Sequence, residues 1–172
     1  MAGARFIIDT NTLIEAYRRE YGFDICPGYW DLMGKAFSAG IVVSHDKVRK
    51  EILRSGDALS QWVGKLDKAY FPKEDDAEFV VWQQLCSWAR SRGYTEAAVA
   101  QFSDMDYADP WVCAKAKVLG LTLVTQEVSA PLARRNVKLP DACTSIGVPY
   151  CDMFTMLREL KASFVLTDGH RF

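Results

Sequence analysis

Three short apolar runs punctuate the chain: Phe6-Ile7-Ile8, Ile41-Val42-Val43 and Leu121-Thr122-Leu123-Val124-Thr125. Each is too short for a helix and does not alternate with polar residues, the pattern of a strand covered on both faces. The first predicts a strand over 5–9, the second over 41–44 and the third over 121–125. Between them the apolar residues recur at helical spacing. Thr12 and Glu15 match a capping box, so a helix carrying Leu13, Ala16 and Tyr17 is expected to begin there. The pattern breaks from Tyr21 to Pro27, and a second helix is predicted from Gly28 to Ser38 with Trp30, Met33 and Phe37 on one face. After the second strand, Val48 and Ile52 share a helix face, with Glu51 at its edge. Residues 57–104 read as wholly helical, with Phe79, Trp82, Cys86 and Ala89 in register behind the acidic start Glu74-Asp75-Asp76. Asp109-Pro110 reads as the cap and first residue of another helix, closed by Gly120. A weaker strand is expected over 136–139 and a last helix over 152–161.

Strands alternating with helices predict an α/β fold: a three-layer α/β/α sandwich around a central, mostly parallel sheet. The length of 172 residues suits one domain spanning 1–172. The apolar content of 49% supplies a sizeable core. No apolar run is long enough to cross a bilayer, and the N-terminus lacks the basic start and long apolar stretch of a secretory signal. The expectation is a cytoplasmic protein with no membrane partner. The five cysteines are scattered without a Cys-x-x-Cys pair, and only His45 and His170 offer imidazole, so the expectation is reduced thiols and no structural zinc. A net charge of −1 weighs against a nucleic-acid binder, unless several acids are committed to a cation.

In a parallel sheet, ligands bind beyond the carboxyl ends of the strands. Asp9 ends the first strand and Glu127 follows the third. Glu51 lies in the helix after the second strand, and Asp109 at a helix start. Each has an ordinary explanation: Asp109 as a helix cap, Asp9 as a cap or turn former, Glu51 as a surface ion-pair member beside Lys50 and Arg54, Glu127 as a loop residue. Together those explanations do not account for four acids at one edge. Carboxylates that close to one another repel unless a cation compensates, and an oxygen-only set suits Mg²⁺ or Mn²⁺. Such an ion polarises a phosphodiester and generates a nucleophilic water without help from His or Cys.

These segments resemble a known family. Ile7-Ile8-Asp9-Thr10-Asn11-Thr12-Leu13-Ile14 is similar to the opening of PIN-domain proteins, Val48-Arg49-Lys50-Glu51-Ile52 to their second motif, and Asp106-Tyr107-Ala108-Asp109-Pro110-Trp111-Val112 with the strand behind it to their third. The resemblance covers most of the chain, with 57–104 as a helical insertion. It is closest to VapC-like toxin ribonucleases of toxin–antitoxin pairs, and Tyr17-Arg18-Arg19 through Cys26-Pro27-Gly28 suggests one subgroup of these. It implies Asp9, Glu51 and Asp109 as metal-binding and catalytic acids, with Asn11 and Thr125 in support. The family's fourth acid is usually Asp; here Thr125-Gln126-Glu127 places a Glu there. Asp104 and Asp106 rank behind as assistants, and Asp141 is expected in a loop turn.

The expected activity is endoribonucleolytic hydrolysis by Mg²⁺- or Mn²⁺-activated water, with Arg18, Arg19, Lys47 or Lys50 touching RNA. The resemblance implies a cognate antitoxin as partner, and a homodimer. A PIN-like scaffold without catalysis is the alternative. A haloacid-dehalogenase-type phosphatase is disfavoured, because that chemistry needs an acid two residues after the first Asp, where Asn11 stands.

Overall fold

The computed structural model describes residue 3 and residues 5–165. Four strands, β1 (Phe6–Ile8), β2 (Val42–Val43), β3 (Thr122–Val124) and β4 (Tyr150–Cys151), form one sheet in the order β2-β1-β3-β4. Every pairing is parallel, with Ile7 beside Val43, Ile8 beside Val124, and Val124 beside Cys151. All strands therefore end at the same edge, at Ile8, Val43, Val124 and Cys151. The central strands are closed to solvent on both faces: Phe6, Ile7, Ile8, Leu123 and Val124 are at most 1% exposed. Burying each such side chain contributes about 1.5–3 kcal/mol, which holds β1 and β3 in the middle despite their brevity.

Around the sheet lie α1 (Thr10–Glu15), α2 (Pro27–Ser38), α3 (Asp46–Leu53), α4 (Ala58–Lys65), α5 (Asp76–Ser91), α6 (Glu96–Phe102), α7 (Ala108–Leu119), α8 (Leu139–Ile146) and α9 (Met153–Glu159). A π-helical turn, Ala16–Glu20, continues α1. None of these helices is long and apolar enough to cross a membrane. Residues 57–104 are largely helical as expected, but broken into α4, a 3₁₀ turn at Lys68–Tyr70, α5 and α6. Caps explain the breaks: Asp57, Asp67, Asp75 and Thr95 each accept a backbone N–H and start a new helix. Gly120 closes α7 and Gly147 closes α8, both left-handed at φ 65° and 68°.

Several sequence expectations need correction. The cap of α1 is Asp9 and not Thr12; Thr12 lies within the helix and sends its hydroxyl to the Val124 carbonyl, 3.2 Å away. No strand forms over 136–139, where the chain instead turns into α8, with Pro140 in its first turn. Neither α8 nor β4 is marked by a pattern in the sequence. Asp141 sits in the first turn of α8, not in a loop, and accepts from Ser129 Oγ (2.6 Å) and Ala130 N (3.1 Å). The tail from Ser163 is described only to Val165; the remainder of that segment, His170 included, lies outside the described residues.

The helical segment between α3 and α7 is anchored through a buried polar knot. Lys115 of α7 and Glu78 of α5 are each 2% exposed and pair directly. Lys115 Nζ also donates to the Lys73 carbonyl at 3.1 Å. His45 Nε2 stands 3.5 Å from Glu78, while its Nδ1 caps α3 by accepting from Lys47 N. Trp82, Phe79 and His45 stack around Trp111. This knot joins the helix that carries Glu51 to the helix that carries Asp109.

Candidate metal centre

Asp9 follows β1 directly, and its backbone N–H still bonds to the Val124 carbonyl, which fixes it at the sheet edge. Its carboxylate is 1% exposed. Oδ1 accepts from Thr12 N at 2.7 Å and Oδ2 from the Thr125 hydroxyl at 2.6 Å. The helix-capping explanation for Asp9 is thus correct but uses only one of its oxygens. Burial raises its pKa to about 6, against the pull of the Thr12 and Thr125 hydrogen bonds, and the charge of Glu127 adds to the rise.

Asp109 is not the cap of α7. That helix starts at Ala108, its cap residue is Tyr107, and no side chain makes a capping bond there. The Asp109 carboxylate is partly buried and accepts one described hydrogen bond, from Tyr107 Oη to Oδ2 at 2.7 Å. Desolvation, opposed by that bond, raises its pKa to about 7, with further contributions from the charges of Asp9, Glu127 and Glu51. Asp109 thus lies in the field of the three other acids, which separate segments deliver.

Glu51 is exposed and makes no described ion pair, contrary to the surface-pair explanation; it accepts from the Thr10 hydroxyl at 2.6 Å. Glu127 is half-buried and engaged: Oε1 meets Lys138 Nζ at 3.2 Å and Oε2 accepts from Leu139 N at 2.9 Å, at the start of α8. Its own N–H donates to Thr125 Oγ1 at 3.2 Å, so one buried threonine ties Asp9 to the Glu127 backbone. Asn11 is exposed and makes no described side-chain hydrogen bond.

Among the described residues, no three His, Cys, Asp or Glu side chains stand close enough to form a complete cation cage. The donor chemistry nonetheless fits a hard divalent ion. Asp9 and Asp109 are desolvated carboxylates without a basic partner among the described ion pairs, and each suffers from a like charge nearby. Oxygen ligands short of positive charge are what Mg²⁺ or Mn²⁺ complements.

Asp104 and Asp106 point elsewhere. Asp104 Oδ1 accepts from Asp106 N, and Asp106 Oδ1 meets Lys47 Nζ at 3.1 Å. Together with Lys50, Glu51, Arg54, Gln101 and Tyr107 they line a groove of about 160 Å³ beside the acids. Lys47 is 7% exposed and shared between Asp106 and Glu74, while Lys50 pairs with Asp46 at 2.7 Å. Arg18 and Arg19 lie on the π-helical turn, exposed, and Arg19 pairs with Glu15. Sequence reasoning missed Thr10 and Tyr107, the donors to Glu51 and Asp109. The signal for Tyr107 was its place just before a helix start, where a tyrosine has no capping use.

No curated protein matches the sequence. Among solved structures, FitAB bound to an IR36 DNA fragment aligns with a TM-score of 0.52 at 16% identity, over 86% of this chain and 94% of that one. PAE2754 from Pyrobaculum aerophilum aligns at 0.49 and 16% identity, over 94% and 99% of the two chains. FitAcB from Neisseria gonorrhoeae aligns at 0.47 and 15%, over 84% and 95%. The likeness to FitAB and the parallel four-stranded sheet establish the PIN-like α/β/α fold. Residues 6–164 match the family described as a domain of unknown function (DUF4411), and the chain belongs to that family.

Proposed function

We propose that this protein is a metal-dependent endoribonuclease, the toxin component of a toxin–antitoxin pair. The observation that carries the proposal is the pair of desolvated, uncompensated carboxylates Asp9 and Asp109, the first in the field of Glu127 and the second in those of Asp9, Glu127 and Glu51. In this reading Asp9, Asp109 and Glu51 hold Mg²⁺ or Mn²⁺, with Glu127 beside them. An ion held there would supply Lewis-acid polarisation of a phosphodiester and a water of lowered pKa as nucleophile.

The chain's own groups prepare that site. Thr125 and the Thr12 amide hold both Asp9 oxygens, Tyr107 holds one of Asp109, and Thr10 holds one of Glu51. The side chains are thereby pre-set before any ligand arrives, which removes reorganisation cost from the reacting state. Lys50 and Arg54 in the adjacent groove supply positive charge along which a nucleic-acid backbone is drawn. An antitoxin protein as partner and a homodimeric state follow from the resemblance to VapC-like toxins, and the fold shared with FitAB, a protein captured on DNA, is in keeping with a nucleic-acid-linked role. The whole described chain serves as one PIN-like domain, with 57–104 inserted in it.

A second reading rests on one observation. Glu127 pairs with the cation Lys138 and accepts from Leu139 N, so its charge, unlike those of Asp9 and Asp109, already has a basic partner. A PIN-like scaffold that binds partners without cleaving RNA would tolerate that. The experiment that separates the two is RNA cleavage with Mn²⁺ by the wild type and Asp9→Asn. Endonucleolytic activity lost in a folded Asp9→Asn protein supports the nuclease; no activity in either, on a broad RNA pool, supports the scaffold.

A further inference from the structure

Tyr107 occupies the cap position of α7 with extended backbone angles (φ −78°, ψ 126°), yet its side chain does not cap the helix. Preferred cap residues are short and carry an oxygen that reaches the first-turn amides; a tyrosine hydroxyl overshoots them. Here the hydroxyl goes to Asp109 Oδ2 at 2.7 Å. Among the described residues that bond is the only one the Asp109 carboxylate receives, whereas Asp9 and Glu127 each have both oxygens held. The orientation of Asp109 therefore rests on one phenol. The ring meanwhile lines the groove shared with Lys47, Lys50, Glu51 and Arg54. Tyr107 thus touches Asp109 and also lines a groove of mixed charge.

Resting on the metal-centre reading above, we infer that Tyr107 is a positioning residue for that centre: its hydroxyl pins Asp109 Oδ2 and leaves Oδ1 free to serve a divalent cation. A carboxylate held by a hydrogen bond at one oxygen loses rotational freedom, so the direction in which the other faces is set by the protein. Hydrogen bonds of this kind to a metal-binding residue are worth roughly 10–100-fold in metal affinity. No other donor within the described structure replaces the phenol.

The test is Mn²⁺ binding by the full chain, measured by calorimetry, for the wild type, Tyr107→Phe, Asp109→Asn and the double variant. Phe keeps the ring, its packing and its share of the groove wall, and removes only the hydroxyl. The expected result is Mn²⁺ affinity about 10–100-fold weaker in Tyr107→Phe, and no further weakening when Tyr107→Phe is added to Asp109→Asn. The thermal shift produced by Mn²⁺, read as the difference between loaded and chelated protein, gives the same comparison with any general loss of stability cancelled. Wild-type affinity in Tyr107→Phe, with binding lost in Asp109→Asn, would overturn the inference and leave the metal centre standing. Equal weakening by Tyr107→Phe with and without Asp109 would also overturn it, because the effect would then not pass through that carboxylate. Wild-type affinity in Asp109→Asn would remove the metal-centre reading itself.

Discussion

Replacing Asp109 by Asn should make the metal-free protein more stable, although it removes an acid from the proposed centre. Burial and three neighbouring acids raise the Asp109 pKa from 3.8 to about 7 in the fold. Between those values the folded protein holds a proton that the unfolded chain releases. The fold is therefore favoured most at low pH, loses stability as pH rises from about 4, and carries the full penalty above about 7. At about 1.4 kcal/mol per unit, a shift of roughly three units sets an upper bound near 4 kcal/mol. Partial exposure of Asp109 and relaxation of its neighbours reduce this to about 1–4 kcal/mol. Asn is nearly isosteric, carries no charge, and keeps an oxygen that accepts from Tyr107. The assay is urea or thermal unfolding in chelator at about pH 8 and about pH 5. Asp109→Asn should unfold later at the higher pH, by about 2–4 °C per kcal/mol gained, and the gap should shrink at the lower pH. Adding Mn²⁺ should reverse the ranking, since a ligand that binds only the fold stabilises the protein able to hold it. An Asp109→Asn protein no more stable than wild type at about pH 8 without metal would refute the claim that the carboxylate is desolvated and uncompensated.

Lys115→Met leaves Glu78 as a buried charge without its partner and should cost about 3–5 kcal/mol in chemical denaturation. Adding Glu78→Gln should recover part of that loss, and no recovery would mean that the cost lies in packing around the substituted side chain. Cys86, Cys113 and Cys143 are buried, and the contact with Cys143 together with burial pushes the Cys113 thiol well up. A thiol reagent at neutral pH should label Cys26 first and Cys151, whose pKa is raised to about 11 by burial, slowly; the three buried thiols should react only after unfolding. Prompt labelling of Cys113 in the folded protein would contradict its placement.

The parts of the fold that showed in the sequence are those decided by burial on both faces. Phe6-Ile7-Ile8 and Leu121 to Val124 read as strands covered on both faces, and their parallel pairing followed from alternation with helices; the order β2-β1-β3-β4 did not show in the sequence. The misplaced parts were decided by contacts distant in sequence. Thr12 and Glu15 formed a valid local capping pattern, but Thr12 is drawn to the Val124 carbonyl 112 residues away and Asp9 takes the cap. Residues 136–139 read as a weak strand; the Glu127 carboxylate accepting from Leu139 N marks the start of α8 instead. The two residues of β4 are too few, and too exposed, to show as a pattern.

The candidate site divides the same way. The edge rule for parallel sheets singled out Asp9, Glu51, Asp109 and Glu127 as a candidate set; Asp109 feels the charges of the other three, but no three of these side chains converge closely enough to form a cage. What each acid is held by was not legible, because Thr10 to Glu51 and Thr125 to Asp9 are contacts across the fold. Asp104 and Asp106, close to Asp109 in sequence, turn to Lys47 and to each other, because the loop before α7 faces α3.

The central claim is that Asp9, Asp109 and Glu51 hold a hard divalent cation. Its most direct measurement is calorimetric titration of the chelated protein with Mn²⁺, for the wild type beside Asp9→Asn. Saturable binding by the wild type that is lost in a folded Asp9→Asn protein is the predicted result. A wild type that takes up no Mn²⁺, or an Asp9→Asn variant that binds it unchanged, would contradict the account.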